Sequence, residues 1–166
     1  MKARWLWALA LAVIGGAVTA GVVLATPQSG VTTSFIVNKI PFSELDIKAH
    51  TIPADVWQLR LKTQGTTDGY VVDNVLHPGG TTGWHSHPGP SLIYVIRGAV
   101  TNYESDDPAC AGQVYTAPTA FVDEGGDHVH KLVNAGSADA ETIAVQFIPA
   151  GAARRIDADV PPNCSS

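Results

Sequence analysis

The chain has 166 residues, with 10 basic and 15 acidic side chains and a formal net charge of −5. In residues 1–25 the only charged side chains are the basic Lys2 and Arg4, so removal of this segment would leave a net charge of −7. Such an acidic balance argues against nucleic acid and anionic lipid as partners, because both bind basic surfaces. The length suits one domain with a sizeable core.

Residues 1–25 are predicted to direct export. Lys2 and Arg4 precede an apolar stretch over residues 5–25, in which a signal peptidase could cut after Ala25 or after Ala20. The stretch also reaches the roughly 20 residues that span a bilayer, so an uncleaved anchor stays open. In both cases we expect a secreted or extracytoplasmic domain, which touches the membrane only through an uncleaved segment.

A linker and a β-rich domain are expected next. Residues 26–33 are small and polar, which is typical of a linker, and residues 34–166 form the expected domain. Short segments rich in β-branched and aromatic residues alternate there with Gly, Pro, Asn and Asp, which favours an antiparallel sandwich or barrel. Over residues 57–62, Trp57, Leu59 and Leu61 alternate with polar residues, and we expect them to face inward.

Two local features complete the expected backbone. Helical signal is weak, and only residues 41–47 could hold one short turn, with Ser43 as its cap. Arg97-Gly98-Ala99 is interpreted as a tight hairpin between two strands, since Gly tolerates positive φ at no steric cost.

The most informative pattern is a set of histidines. His85 and His87 lie one residue apart, and on an extended strand their side chains project from the same face, because side chains alternate with period two. Further histidines follow at His128 and His130. Imidazole is the commonest neutral metal ligand, and three imidazoles leave positions open on a divalent cation, as a catalytic site needs.

These residues resemble the first motif of the cupin superfamily, in which Gly, His-x-His, Glu and Gly follow at fixed spacing. Gly79, His85, His87 and Gly98 keep every spacing, and Ser91 stands where the family has glutamate. The resemblance implies an all-β fold, an antiparallel double-sheet jelly-roll barrel. Since a serine hydroxyl is a poor ligand for a divalent ion, the implied site has three neutral imidazoles, as in three-histidine cupins such as thiol dioxygenases.

The second family motif is only partly present. His130 and Asn134 keep its last spacing, whereas its earlier Gly and Pro positions match in two loose registers. His130 is therefore the expected third ligand. His128 lies two residues earlier on the same expected face, and three roles stay open for it: the ligand in place of His130, a fourth ligand in place of the missing glutamate, or a group that orients a ligand.

The resemblance implies that the chain binds a divalent Fe, Mn, Cu, Ni or Zn ion and acts on a small molecule as an oxygenase or isomerase. The alternative is a non-catalytic cupin module that binds a small molecule or a metal ion. Motifs of serine hydrolases, zincins, nucleotide-binding and nicotinamide-binding proteins are absent from the sequence. Cupins often dimerise, so a homodimer is a further expectation.

Residues outside the histidine motifs carry expectations of their own. Cys110 and Cys164, the two cysteines of the chain, are expected to form a disulfide in an oxidising compartment, with unpaired thiols or pairing between chains as alternatives. Arg154 and Arg155 are either solvated or form a clamp for a substrate carboxylate, which guanidinium binds in a two-pronged fashion. Further candidates for the pocket are Tyr94, Tyr103 and Gln146.

Overall fold

The computed structural model describes residues 25–51 and 56–164, so the expected export segment lies outside the described residues except for Ala25. Within the described part, no helix has the length and apolar character needed to cross a membrane. The strands in this part are β1 (Ser29–Phe42), β2 (Asp46–His50), β3 (Gln58–Lys62), β4 (Thr67–Thr81), β5 (His85–Ser86), β6 (Ser91–Arg97), β7 (Ala99–Glu104), β8 (Gln113–Thr116), β9 (Thr119–Asp123), β10 (His130–Val133), β11 (Ala140–Pro149) and β12 (Ile156–Asp157), followed by a 3₁₀ turn at Pro162–Cys164.

Two antiparallel sheets form the barrel. One follows the order β1-β4-β11-β6-β9, and the other follows β12-β5-β10-β7-β8. The end of β4 joins them, because Thr81 pairs with Val133 of β10. The result is a nearly closed, all-β jelly-roll barrel, so the predicted fold class is confirmed.

The core lies between the two sheets. Along β11 every second residue from Ala140 to Ile148 is buried, as expected for a strand with one face toward the interior. Thr142 and Gln146 belong to this inner row, so the same strand contributes to the apolar core and to a polar pocket. The apolar core comprises Tyr70, Val72, Leu76, Ile93, Val95, Val100, Phe121, Leu132, Ala140, Ala144 and Ile148.

Strand β1 begins earlier than the sequence suggested. It starts at Ser29, so five residues of the expected linker at 26–33 belong to the sheet. The partner strand β4 is 15 residues long and offers backbone groups along its whole length. Val31, Thr32 and Thr33 are β-branched and suit an extended backbone, which a reading based on small polar composition overlooks.

Two other local expectations are wrong. β1 runs to Phe42 and β2 begins at Asp46, so the expected helical turn over residues 41–47 does not form. β2 and β3 make a separate two-stranded sheet, in which Trp57 beside β3 is 54% exposed and Leu59 is 46% exposed. Alternation along this strand identified an apolar face, but in the described structure that face remains largely exposed.

Gly98 forms a corner between the sheets instead of the expected hairpin. β6 pairs with β9 and β11, whereas β7 pairs with β8 and β10, so the chain changes sheets at this residue. Gly98 has φ of 68°, and a Cβ there would lie 2.8 Å from the carbonyl oxygen of Asp139. Glycine is therefore needed for both backbone conformation and space.

Candidate metal centre

Strands β5 and β10 bring three histidines together inside the barrel. His85 pairs with His130 across these two strands, and His87 directly follows β5. Ligand nitrogens of the three residues lie within 4.8 Å of one another. Each residue exposes 5% or less of its surface. The structure thus brings His85, His87 and His130 to one buried site, which we call the histidine trio.

A fixed acceptor faces one nitrogen of every ring in the trio. The Nδ1–H groups donate as follows: His85 to the Gly83 carbonyl at 2.8 Å, His87 to the Arg154 carbonyl at 2.6 Å, and His130 to Asn102 Oδ1 at 3.3 Å. These acceptors assign the proton to Nδ1 and leave the Nε2 lone pair for a metal ion. Metal-binding histidines in proteins are oriented by outer hydrogen bonds of this kind.

Burial favours the neutral form of all three imidazoles. It lowers the pKa of His87 to about 4 and the pKa of His130 to about 3. Burial, followed by the neighbouring His130, also moves the pKa of His85 far below its ordinary value of 6.5. Because metal ions bind the neutral imidazole, the trio is ready to coordinate at neutral pH.

Two buried polar atoms at the trio indicate that its residues fit a metal ion. His130 Nε2 and Asp123 Oδ2 have no hydrogen-bond partner among the described residues, although both side chains are almost fully buried. The two atoms lie 3.7 Å apart, and the same aspartate oxygen lies 4.0 Å from His87 Nε2. Since buried polar atoms are normally satisfied, these atoms fit a cation that accepts electron pairs from all of them.

Ser91, where the sequence motif led us to expect a glutamate in cupins, is engaged in a different contact. Its hydroxyl is fully buried and accepts a hydrogen bond from Gln146 Nε2 at 2.8 Å. Gln146 Oε1 in turn accepts from Arg154 Nη1 at 2.9 Å. This chain of hydrogen bonds runs from the strand β6 to the C-terminal segment and fixes Gln146 in the wall of the pocket.

His128 lies outside the trio. Its Nε2 atom is 2.6 Å from Glu104 Oε2, and its Nδ1 atom is 3.5 Å from Asp123 Oδ1. With Glu104 and Asp106 it forms a separate, partly exposed group of potential ligands. This placement establishes none of the three roles that the sequence left open for His128, because its Nδ1 atom has no hydrogen-bond partner among the described residues.

The trio opens into a cavity of about 40 Å³. That volume holds about three water molecules, so only small groups fit beside an ion. Arg154 and Arg155 both line the cavity, and burial lowers the pKa of the Arg154 guanidinium. Gln146 also lines it, as expected, whereas Tyr94 and Tyr103 are not among its lining residues.

The C-terminal segment that carries these arginines is fastened to the barrel. Cys110 and Cys164 form a disulfide with their Cα atoms 5.3 Å apart, which confirms the predicted pairing. Asn163 Nδ2 adds hydrogen bonds to the carbonyls of Ser105 and Asp107. A disulfide is consistent with an oxidising environment for this domain.

Asp123 is the residue of the site that sequence reasoning missed. It is the last residue of β9, and no motif spacing marks it. The feature that identifies Asp123 is the strand register, which places it opposite Ser91. The register between distant strands cannot be derived from local residue spacing, so this carboxylate is found only in the folded structure.

Comparisons with known proteins bear on the fold. No protein-family model matches the sequence, and no curated protein matches it. Among solved structures, the polyketide cyclase RemF from Streptomyces resistomycificus is 16% identical, with 85% of this chain and 84% of that chain covered and a TM-score of 0.51. A cupin domain from Bordetella pertussis is 12% identical, with 76% and 99% covered and a TM-score of 0.46.

A protein from Klebsiella pneumoniae with a double-stranded β-helix domain is 20% identical, with 70% of this chain and 85% of that chain covered and a TM-score of 0.47. Of these three structures RemF has a TM-score above 0.5, and at 16% identity it shows a shared fold alone. The antiparallel pairing and the likeness to RemF define the fold of the chain, an all-β jelly-roll barrel. Within that fold it carries a buried histidine trio beside two arginines.

Proposed function

We propose that this chain is an exported metalloprotein, in which His85, His87 and His130 hold one divalent transition-metal ion and present it to a small anionic molecule. The observation that carries the proposal is the convergence of three buried imidazoles whose Nδ1–H groups are all committed to other acceptors. Fe, Mn, Cu, Ni and Zn are the candidate ions, as the sequence indicated.

The chemistry divides between the ion and the chain. A bound ion would supply Lewis-acid polarisation of an oxygen atom or activation of water or dioxygen, which suits an oxygenase or an isomerase. Arg154 and Arg155 line the cavity, and a guanidinium can hold a carboxylate. Arg155 already pairs with Asp157 and donates to the Thr82 carbonyl, so Arg154 is the better placed of the two. Gln146, fixed by Ser91 and Arg154, presents an amide to the same space. Each histidine of the trio is at most 5% exposed, which limits access of bulk water to these side chains.

A non-catalytic cupin module is the second candidate, and the size of the cavity favours it. A volume of about 40 Å³ leaves room for an ion and a few small ligand atoms, and little for a larger organic substrate. Binding of small carboxylates without any turnover by metal-loaded protein would favour this candidate over an enzyme.

Metal content tests the proposal. Protein purified from its native compartment is expected to contain about one transition-metal ion per chain, because three imidazoles suffice for an open site. His87→Ala removes one ligand and is expected to lose the ion. His77→Ala is the matched control, since His77 is half exposed and bonds to Thr32 and Asp139 instead.

Elemental analysis after removal of loosely bound metal gives the readout. Failure of the wild-type protein to retain any of the five ions after reconstitution would refute the proposal. Retention of the full metal content by His87→Ala would refute the assignment of the trio.

We further propose that the domain works outside the cytoplasm. The Cys110–Cys164 disulfide and the apolar stretch over residues 5–25 support export. N-terminal sequencing of protein from an exporting host is expected to show a start after Ala20 or Ala25, or an intact N terminus in the membrane fraction. An intact N terminus in the cytosolic fraction would contradict export.

A further inference from the structure

Asp123 is a buried carboxylate at the histidine trio. Its side chain is 1% exposed, and Oδ1 accepts the backbone N–H of Gly125 at 3.1 Å. Oδ2 has no hydrogen-bond partner among the described residues, and it lies 3.7 Å from His130 Nε2 and 4.0 Å from His87 Nε2. A carboxylate oxygen buried without a donor is unfavourable, and a cation between these atoms would satisfy it.

The strand register relates this carboxylate to the glutamate of the family motif. Ser91 of β6 pairs directly with Asp123 of β9, and both side chains are buried. Directly paired residues in antiparallel strands project from the same face, with Cβ atoms about 4.5–5.5 Å apart. A carboxylate at position 123 therefore points into the same space as one at position 91.

We propose that Asp123 is the fourth protein ligand of the metal ion and supplies, from the neighbouring strand, the carboxylate that position 91 lacks. This inference rests on the proposed function of the trio. Ligand atoms about 2.0–2.2 Å from one ion lie about 3.0–3.5 Å from their neighbours, so the Asp123 Oδ2 separations of 3.7 Å and 4.0 Å need a closure of about 0.2–1.0 Å. A carboxylate ligand also compensates part of the charge of the ion, which three neutral imidazoles do not.

Glu104 supports the trio through a neighbouring side chain and also contacts the histidine beside Asp123. Glu104 contacts His128 Nε2, and the other nitrogen of that ring faces Asp123 Oδ1. Glu104 also accepts a hydrogen bond from Asn102, whose Oδ1 holds His130. Glu104 thus positions His130 through Asn102, as outer contacts of metal ligands do, and holds His128 beside Asp123.

The test compares metal binding by wild type and Asp123→Asn, with Zn²⁺ and Co²⁺ alone as probes. Asparagine keeps the shape of the side chain and its oxygen acceptor but removes the charge, so we expect the Zn²⁺ affinity to fall at least about 100-fold. The visible spectrum of the Co²⁺ form is expected to change as well, because the ligand set changes. Asp139→Asn is the matched control, since Asp139 pairs with His77 and Arg97.

A positioning variant and a compensating variant sharpen the test. Glu104→Gln is expected to weaken Zn²⁺ binding about 10-fold without changing the Co²⁺ spectrum, because it leaves the ligands in place. Ser91→Glu added to Asp123→Asn is expected to restore affinity, because it returns a carboxylate to the same space. If Asp123→Asn fails to fold by circular dichroism, Asp123→Ser replaces it in the comparison.

A Co²⁺ spectrum that is identical in wild type and Asp123→Asn overturns the inference at any affinity, because the carboxylate is then not a ligand. That result leaves the histidine trio intact as a metal site. Failure of the wild type to bind Zn²⁺ or Co²⁺ refutes the proposed function itself, so the two failures are distinguishable.

Discussion

Two of the three site histidines are oriented by backbone and one is oriented by a side chain. His85 and His87 donate to the carbonyls of Gly83 and Arg154, which cannot move without moving the chain. His130 instead donates to Asn102, which bonds to Glu104. The ring orientations of His85 and His87 are therefore fixed by the backbone fold, whereas the ring orientation of His130 depends on a network of side chains.

Arg154 has two separable roles at this scale. Its carbonyl orients His87, while its guanidinium lines the cavity and donates to Gln146. Arg154→Gln is therefore expected to weaken binding of acetate to the metal-loaded protein about 10-fold, because hydrogen bonds to charged groups contribute about 1.5–3 kcal/mol. The metal affinity itself is expected to stay nearly unchanged. Calorimetric titration measures both affinities.

Arg97→Gln is the matched control for this prediction. Arg97 is about half exposed and pairs with Glu141 and Asp139, so its loss is expected to leave acetate binding unchanged. Equal acetate affinities in wild type and Arg154→Gln would contradict the role of the Arg154 guanidinium in anion binding.

At the scale of strands, spacing along one segment was predictable and register between segments was not. His85 and His87 share a face because of the period-two backbone, and the family motif supplied His130 as their expected companion. The partner of Ser91 could not be found in this way, because Asp123 is remote in sequence and meets it only through the pairing of β6 with β9. The carboxylate of the centre was missed for this reason.

Whether the apolar face of a strand is buried is equally hard to predict from spacing along one segment. The alternation over residues 57–62 correctly indicated a strand, but not whether another layer covers its apolar face, and Trp57 remains 54% exposed. Residues 29–33 likewise form a strand because β4 is long enough to pair with them. The small, polar composition of residues 29–33 does not reveal this pairing. Local propensity thus indicated a β-rich domain and the strand within residues 57–62, while tertiary pairing decided where strands end and which faces are exposed.

The disulfide connects two irregular segments that strands do not hold. It joins Cys164 in the C-terminal turn to Cys110 between β7 and β8, over a sequence separation of 54 residues. Cys110→Ser combined with Cys164→Ser is expected to lower the free energy of unfolding by about 2–4 kcal/mol, since the bridge restricts the unfolded chain. Urea unfolding of the metal-free proteins measures the loss.

Reductant provides the control for the disulfide prediction. It is expected to destabilise the wild type to the level of the double variant and to leave the double variant unchanged. A double variant as stable as the oxidised wild type would show that the bridge does not contribute to stability.

At the scale of the whole molecule, the barrel buries polar groups beside an apolar core. The histidine trio, Asp123 and Gln146 are almost fully withdrawn from solvent, next to a continuous apolar cluster. Neutral buried histidines resist protonation, whereas the same residues in the unfolded chain accept protons near their ordinary pKa of 6.5. The unfolded state therefore binds more protons than the folded state at mildly acidic pH, and acid destabilises the fold.

Metal-free protein is accordingly expected to lose stability as the pH falls from about 6.5 to about 4, the folded-state pKa of His87. Within this window each buried histidine lowers the free energy of unfolding by up to about 1.4 kcal/mol per pH unit, and its contribution levels off below its folded-state pKa. His87→Gln removes one such histidine, so its stability is expected to fall less steeply with acid. Urea unfolding of both proteins between pH 7.5 and pH 4 measures the slopes, and parallel curves would contradict a neutral, buried His87.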